Sequence, residues 1–204
     1  MTKDDAISRP ITAAMIQQAR AQQDWFHNYY KNNSTTRAAS ADRDIIGDLA
    51  HQVVENFLDE IDMPYHSERL IKHDSGDELD LIVQGEKWDV KGTMLDSYEF
   101  YVFDKQMRNP KVNELDYFCF VQISRDMKVG KIYSLCPVTY FKKKMQIAPA
   151  GGINSFKYDN QGVLTFFLPS FKDWFMRQPA TVERALVKEK LLLDSVTIEG
   201  IIEL

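Results

Sequence analysis

Residues 115–124 (LDYFCFVQIS) carry aromatic and β-branched side chains at both odd and even positions. Successive side chains of a strand point to opposite faces, so a run that is apolar at both parities belongs in the centre of a sheet, buried. It is the most strand-like segment of the chain, and any fold must cover it. The chain has 204 residues and 44% hydrophobic content, enough for one sizeable core. One domain with an appended segment is therefore favoured over two equal halves.

The surrounding pattern alternates between helical and extended spacing. Residues 11–32 predict a helix, with Ile11, Met15 and Trp25 among its apolar positions. The small polar stretch NNSTTRAASA at 32–41 marks a linker, which divides an N-terminal helical segment (1–41) from the main domain (42–204). A second helix over 42–61 repeats Ile45, Ile46, Leu49, Val53, Val54, Phe57 and Ile61 at helical spacing and stops at Met63-Pro64. Strands are expected at 65–73, 78–83 and 87–93, the last two joined by Gln84-Gly85-Glu86 as a hairpin. Asn109-Pro110 prevents a long helix in the polar stretch 104–115. A partner strand at 127–137 and a short helix from Val138 follow, then a hairpin turning at 159–162 and a last helix over 181–193. The order describes an α/β domain around a mixed sheet.

Several classes are excluded or disfavoured. No run of eighteen apolar residues occurs, so a membrane span is not expected. The N-terminus MTKDDAISRP lacks the basic-then-apolar order of a secretory signal. Cys119 and Cys136 both sit in apolar stretches, which fits buried free thiols and a cytoplasmic location. Two isolated cysteines and four scattered histidines offer no zinc-ligand spacing. The net charge of −5 argues against non-specific coating of nucleic acid but leaves room for a local basic cleft. Lys142, Lys143 and Lys144 are the densest basic cluster, with a solvated helix face as the plainer reading. Trp25, Phe26, Tyr29 and Tyr30 either dock their helix on the core or stack on bases.

The chemistry concentrates in the predicted hairpin. In KWDVKGT, strand parity puts Lys87, Asp89, Lys91 and Thr93 on one face and Trp88 and Val90 on the other. Asp89 and Lys91 are then about 6.6–6.8 Å apart along the strand. Asp80 faces away from Leu79, Leu81 and Val83, and a tight hairpin would bring it beside Asp89. Hydrolysis of a phosphodiester needs a hard divalent cation on one or two carboxylates and a cationic group near the attacking water. Two aspartates and a lysine on one patch provide this set.

Asp80 followed nine positions later by Asp89-Val90-Lys91, on short strands after an amphipathic helix, resembles the PD-(D/E)XK, or restriction-endonuclease-like, nuclease superfamily. The resemblance covers about residues 42–124. It implies an α/β restriction-endonuclease-like fold, a mixed β-sheet core flanked by helices. It further implies Mg2+, with Mn2+ as the alternative, held by Asp80, Asp89 and the Val90 carbonyl, and Lys91 assisting the attacking water. Leu79 stands where the family name has proline, and Asp89 is the middle acid. Gly47 and His51 fit the G-x-x-x-H helix pattern of the RecB-like and Cas4-like branch, which implies His51 as a further ligand. His51 lies at the edge of the helix's apolar face and Glu55 almost opposite its centre, so His51 ranks first and Glu55 second. The branch's Q-x-x-x-Y element is missing, because Gln106 is followed four positions on by Pro110. The function implied is DNA hydrolysis, by an endodeoxyribonuclease of restriction, phage or mobile-element type, with DNA as partner and a homodimer compatible. Lys87, Thr93, Lys142, Lys143 and Lys144 are the candidate DNA contacts. The rival reading is a non-catalytic nucleic-acid-binding or assembly protein that keeps the nuclease fold.

Overall fold

The computed structural model describes residues 6–32, 41–67, 80–94, 99–148, 160–164, 168–175 and 177. The linker at 33–40, most of the 65–73 strand and the helix over 181–193 lie outside the described residues. So do the side chains of Trp25, Phe26, Tyr29 and Tyr30.

The chain begins with a strand that the sequence pattern did not single out, β1 (Ile7–Pro10). Helix α1 (Ala13–Asn32) follows, opened by Thr12, whose Oγ1 accepts the Met15 N–H at 3.2 Å. Helix α2 (Ala41–Glu60) ends in a Schellman closure. Asp62 takes a left-handed φ of 54°, its N–H donates to Asp59 O, and Met63 N–H donates to Leu58 O at 2.9 Å. Met63 and Leu58 are both buried there, so the helix stops before Pro64 by its own capping geometry.

Strands β2 (Tyr65–Ser67), β3 (Leu81–Val83) and β4 (Glu86–Thr93) form an antiparallel ribbon. Gln84 and Gly85 alone make the β3–β4 turn, both with positive φ (53° and 85°), as a two-residue hairpin requires. After β5 (Glu99–Phe103), the short helix α3 (Asp104–Met107) and a 3-10 turn at Pro110–Glu114 come β6 (Tyr117–Ile123) and β7 (Val129–Pro137). Then follow α4 (Val138–Lys144), β8 (Gln146–Ala148), β9 (Asn160–Leu164) and α5 (Phe171–Phe175).

Six strands form one mixed sheet in the order β1-β7-β6-β4-β3-β2, with β4 and β6 parallel and the other neighbours antiparallel. A second, antiparallel sheet runs β5-β9-β8. Helices flank the main sheet, so the molecule is a mixed α/β protein. No helix among the described residues is long and apolar enough to cross a membrane.

β6 is central, and its two parities feed two different cores. Cys119, Val121 and Ile123 join Trp88 and Val90 of β4 under the apolar stripe of α2, with Leu49, Val53 and Phe57. Phe118 and Phe120 pack on the other face with Phe100, Val102 and Val163 of the second sheet and Phe141 of α4. The two-sided apolar run of the sequence is explained by these two layers.

One expectation is corrected. Residues 160–162 are not a hairpin turn but part of β9, paired with both β5 and β8. Gly162 looks like a turn residue in the sequence; in the sheet it lies under the Tyr101 ring, where a Cβ would come within 2.7 Å of Cε1. A glycine that makes room for an aromatic ring and a glycine that makes a turn are indistinguishable from spacing alone.

A similar close approach seats α2. A Cβ on Gly92 would lie 2.7 Å from the Ile46 carbonyl oxygen and 2.8 Å from the Ala50 Cβ. Gly92→Ala should therefore push α2 off β4 and destabilise the fold by about 1–3 kcal/mol. Urea unfolding checks this: a lowered midpoint is expected, and an unchanged one means that the helix is not seated as tightly as these distances imply.

Candidate functional site

The site forms at Asp80, the residue before β3, against β4. Asp80 N–H donates to Trp88 O at 3.0 Å, continuing the ribbon one step past Leu81. The next amide along that edge of β4, Val90 N–H, donates to the carboxylate Oδ2 of Asp80 at 2.6 Å. A side chain thus takes the place of a ladder carbonyl, and it fixes the Asp80 carboxyl against the backbone of the D-V-K strand.

Asp89 is 1% exposed and points away from Trp88 and Val90, as strand parity demands. Lys91 Nζ donates to its Oδ1 at 2.5 Å, and Gln106 Nε2 donates to its Oδ2 at 3.0 Å. Asp80 and Asp89 lie near enough for each carboxyl to perturb the other. From α2, His51 is 8% exposed and brings Nε2 to 3.2 Å from Asp80 Oδ2. Its Nδ1 is buried without a hydrogen-bond partner among the described residues.

Four sequence-predicted residues therefore converge: His51, Asp80, Asp89 and Lys91, with the Val90 backbone between them. Glu55, one turn further along α2, is partly exposed, and it is His51 that bonds Asp80. Thr93 continues the Asp89–Lys91 face at the end of β4. Lys87 is near the opposite end, its Nζ 3.9 Å from Glu114 and its N–H bonded to Asp116 Oδ2. Of the three lysines in α4, Lys142 donates to Asn113 Oδ1 at 2.6 Å, while Lys143 and Lys144 are exposed.

Sequence reasoning gave Gln106 no part in the site. It sits on α3, directly after β5, and its amide reaches back to Asp89. Only the pairing of β5 with a second sheet brings that helix over the aspartate, and no local spacing announces it.

The electrostatics are those of two acids and one lysine in a dry place. Burial works against the Asp80 charge, but His51 and Lys91 outweigh it and hold the carboxyl at about 2, below the ordinary 3.8. Burial pushes Asp89 well above 3.8; Lys91 opposes this and the neighbouring Asp80 adds to it. The Cys119 thiol is raised by burial and then by both aspartates, so it stays protonated and unreactive beside the site. Cys136 is raised to about 12 by burial, and both cysteines are free.

Among the described residues, no three of His, Cys, Asp and Glu are already arranged as a closed ligand set. The donor chemistry nonetheless fits a hard divalent cation, which takes one or two carboxylates and fills its remaining positions with water. A cation here would favour the charged form of Asp89, which burial and, after it, the neighbouring Asp80 disfavour. Compared with known protein families, curated proteins and solved structures, the chain matches none.

A stability measurement checks the electrostatics. A carboxyl with a raised folded pKa keeps a proton that the unfolded chain has already released, so above 3.8 its contribution to stability falls as pH rises. Asp80 has the opposite sign: its contribution is full above 3.8 and is lost as pH falls toward about 2. Asp89→Asn should therefore melt higher than wild type in mildly alkaline, metal-free buffer. The gain should shrink on acidification, where Asp89 is already protonated. A difference that stays constant across pH contradicts the raised value.

Proposed function

We propose that this protein is a Mg2+-dependent deoxyribonuclease with a restriction-endonuclease-like fold. The observation that carries the reading is the convergence of Asp80, Asp89 and Lys91 at the open edge of β4. In this reading Asp80, Asp89 and the Val90 carbonyl hold the cation, and His51 completes or orients the set from α2. When bound, the cation neutralises charge on the scissile phosphate and acidifies a water molecule.

The chain's own groups do the rest. Lys91 is held by Asp89 at the mouth of the site, partly exposed, where an ammonium can orient the attacking water and offset negative charge developing on the phosphate. Gln106 fixes the second oxygen of Asp89, so that the carboxylate presents a defined direction. Burial of Trp88 and Val90 behind the strand keeps rigid the backbone that carries Asp89 and Lys91.

Plasmid cleavage in Mg2+ tests the reading. Wild type should nick or linearise the plasmid and Asp89→Ala should not; equal cleavage by both proteins sinks the proposal. Lys91→Ala should lose about 10²–10⁴ in rate while keeping its circular dichroism spectrum. Unfolding of that variant would instead point to a structural ion pair. The rival reading, a binding or assembly protein without catalysis, requires that titration calorimetry detect no Mg2+ or Mn2+ uptake dependent on Asp80 and Asp89.

A further inference from the structure

The polar face of β4 does not end at Lys91. Strand register places Thr93 beside Gln122 of β6, and Gln122 beside Lys131 of β7. Partnered residues of neighbouring strands share a face. Gln122 confirms the side by accepting from the Tyr133 hydroxyl at 3.1 Å, Tyr133 belonging to the core layer of Phe118 and Phe120. Thr93, Gln122 and Lys131 thus form a row across the sheet, on the same face as Asp89 and Lys91. The row lies one step (about 6.6–6.8 Å) further along β4.

At this end of the sheet, beyond the C-termini of the parallel strands β4 and β6, a cavity of about 290 Å³ opens. Open α/β sheets hold ligands outside the carboxyl ends of their strands. Met94 and Val129 give the cavity an apolar side, and Gln122, Arg125, Asp126 and Lys131 give it a polar one. Arg125 and Lys131 have no side-chain partner among the described residues. The carboxylate in the lining is already engaged: Asp126 Oδ1 accepts from the Ser124 hydroxyl at 2.7 Å and from Lys128 N–H at 3.2 Å, and Oδ2 is 3.8 Å from Lys128 Nζ. The Ser124 hydroxyl oxygen also accepts Val129 N–H at 3.0 Å, so the turn that carries Arg125 is tied down at both ends.

We propose that Arg125, Lys131 and the Thr93–Gln122 pair form a phosphate subsite that holds the DNA backbone beyond the scissile position. This rests on the nuclease reading above. A centre of buried carboxylates does not attract DNA by itself, and a chain of net charge −5 supplies no general attraction either. Lys131 on the Asp89–Lys91 face and Arg125 in the cavity lining beyond it supply it locally. Lys131 is two strands across and one row along from Lys91, roughly 12 Å between backbone positions. That separation places the contact on a phosphate beyond the scissile one along the same strand.

The test is binding of a short fluorescein-labelled DNA duplex, followed by anisotropy in EDTA over a range of salt concentrations. Arg125→Gln/Lys131→Gln should weaken binding and flatten the plot of log affinity against log salt by about 2, close to 0.9 per lost phosphate contact. Lys172→Gln/Arg177→Gln removes the same charge beside Trp174, which packs on Trp88 at the other face of the sheet. That control should leave the slope unchanged. Equal changes in both double variants, or none in the first, overturn the subsite. Where that happens while wild type still cuts plasmid in Mg2+, the nuclease reading stands; wild type that neither binds nor cuts overturns both.

Discussion

One hydrogen bond organises the site: the Val90 amide of β4 donates to the side chain of Asp80 at 2.6 Å instead of to a neighbouring strand. His51 comes from a helix on one face of the sheet, whereas Asp89 and Lys91 point to the opposite face. Groups on opposite faces of a sheet can meet only around a free strand edge. Among the described residues β3 accompanies β4 no further than Asp80, and the Asp80 carboxylate occupies the edge beyond, bonded to the backbone of β4 and the imidazole of His51. Gly92 and Ala50 let α2 lie close enough for His51 to reach round.

The arrangement works against the fold that holds it. Burial is the main cause of the upward push on Asp89; the neighbouring Asp80 charge adds to it, and Lys91 opposes it. A buried structural pair needs only Asp89 and Lys91; the addition of Asp80 and a histidine with an orphaned Nδ1 makes the cluster less self-sufficient. On the proposed reading, a cation from outside the chain would supply the missing positive charge.

Much of this was legible in the sequence because it depends on short-range rules. Parity put Asp89 and Lys91 on one face, and helical spacing put His51 at the edge of α2's apolar stripe; the hairpin was expected at Gln84-Gly85-Glu86, whereas Glu86 already pairs with Val83 and the turn is Gln84-Gly85 alone. What escaped depends on contacts distant in sequence. β1 is a four-residue edge strand recognisable only through its pairing with β7. Residues 160–162 carry turn composition yet complete a sheet with segments some sixty residues earlier, by register with 101–103. Gln106 reaches Asp89 because that second sheet folds α3 back over the first.

Whole-molecule charge is the feature most at odds with the proposed nucleic-acid partner, but a sum does not describe one face of the sheet. The acidic groups at the centre are consumed by one another, by Lys91 and by His51, and Asp126 is consumed within its own turn. The cations that the proposed subsite uses are Arg125 and Lys131. The register β4-β6-β7 sets Lys131 in line with Thr93 and one row beyond Lys91, while the tied turn between β6 and β7 holds Arg125 at the cavity rim. Attraction of a polyanion falls off within about 8–10 Å at physiological salt, so local arrangement outweighs net charge at contact distance. An acidic chain can therefore present a cationic track, provided the strands that build the carboxylate centre also place the lysine and the arginine beside it.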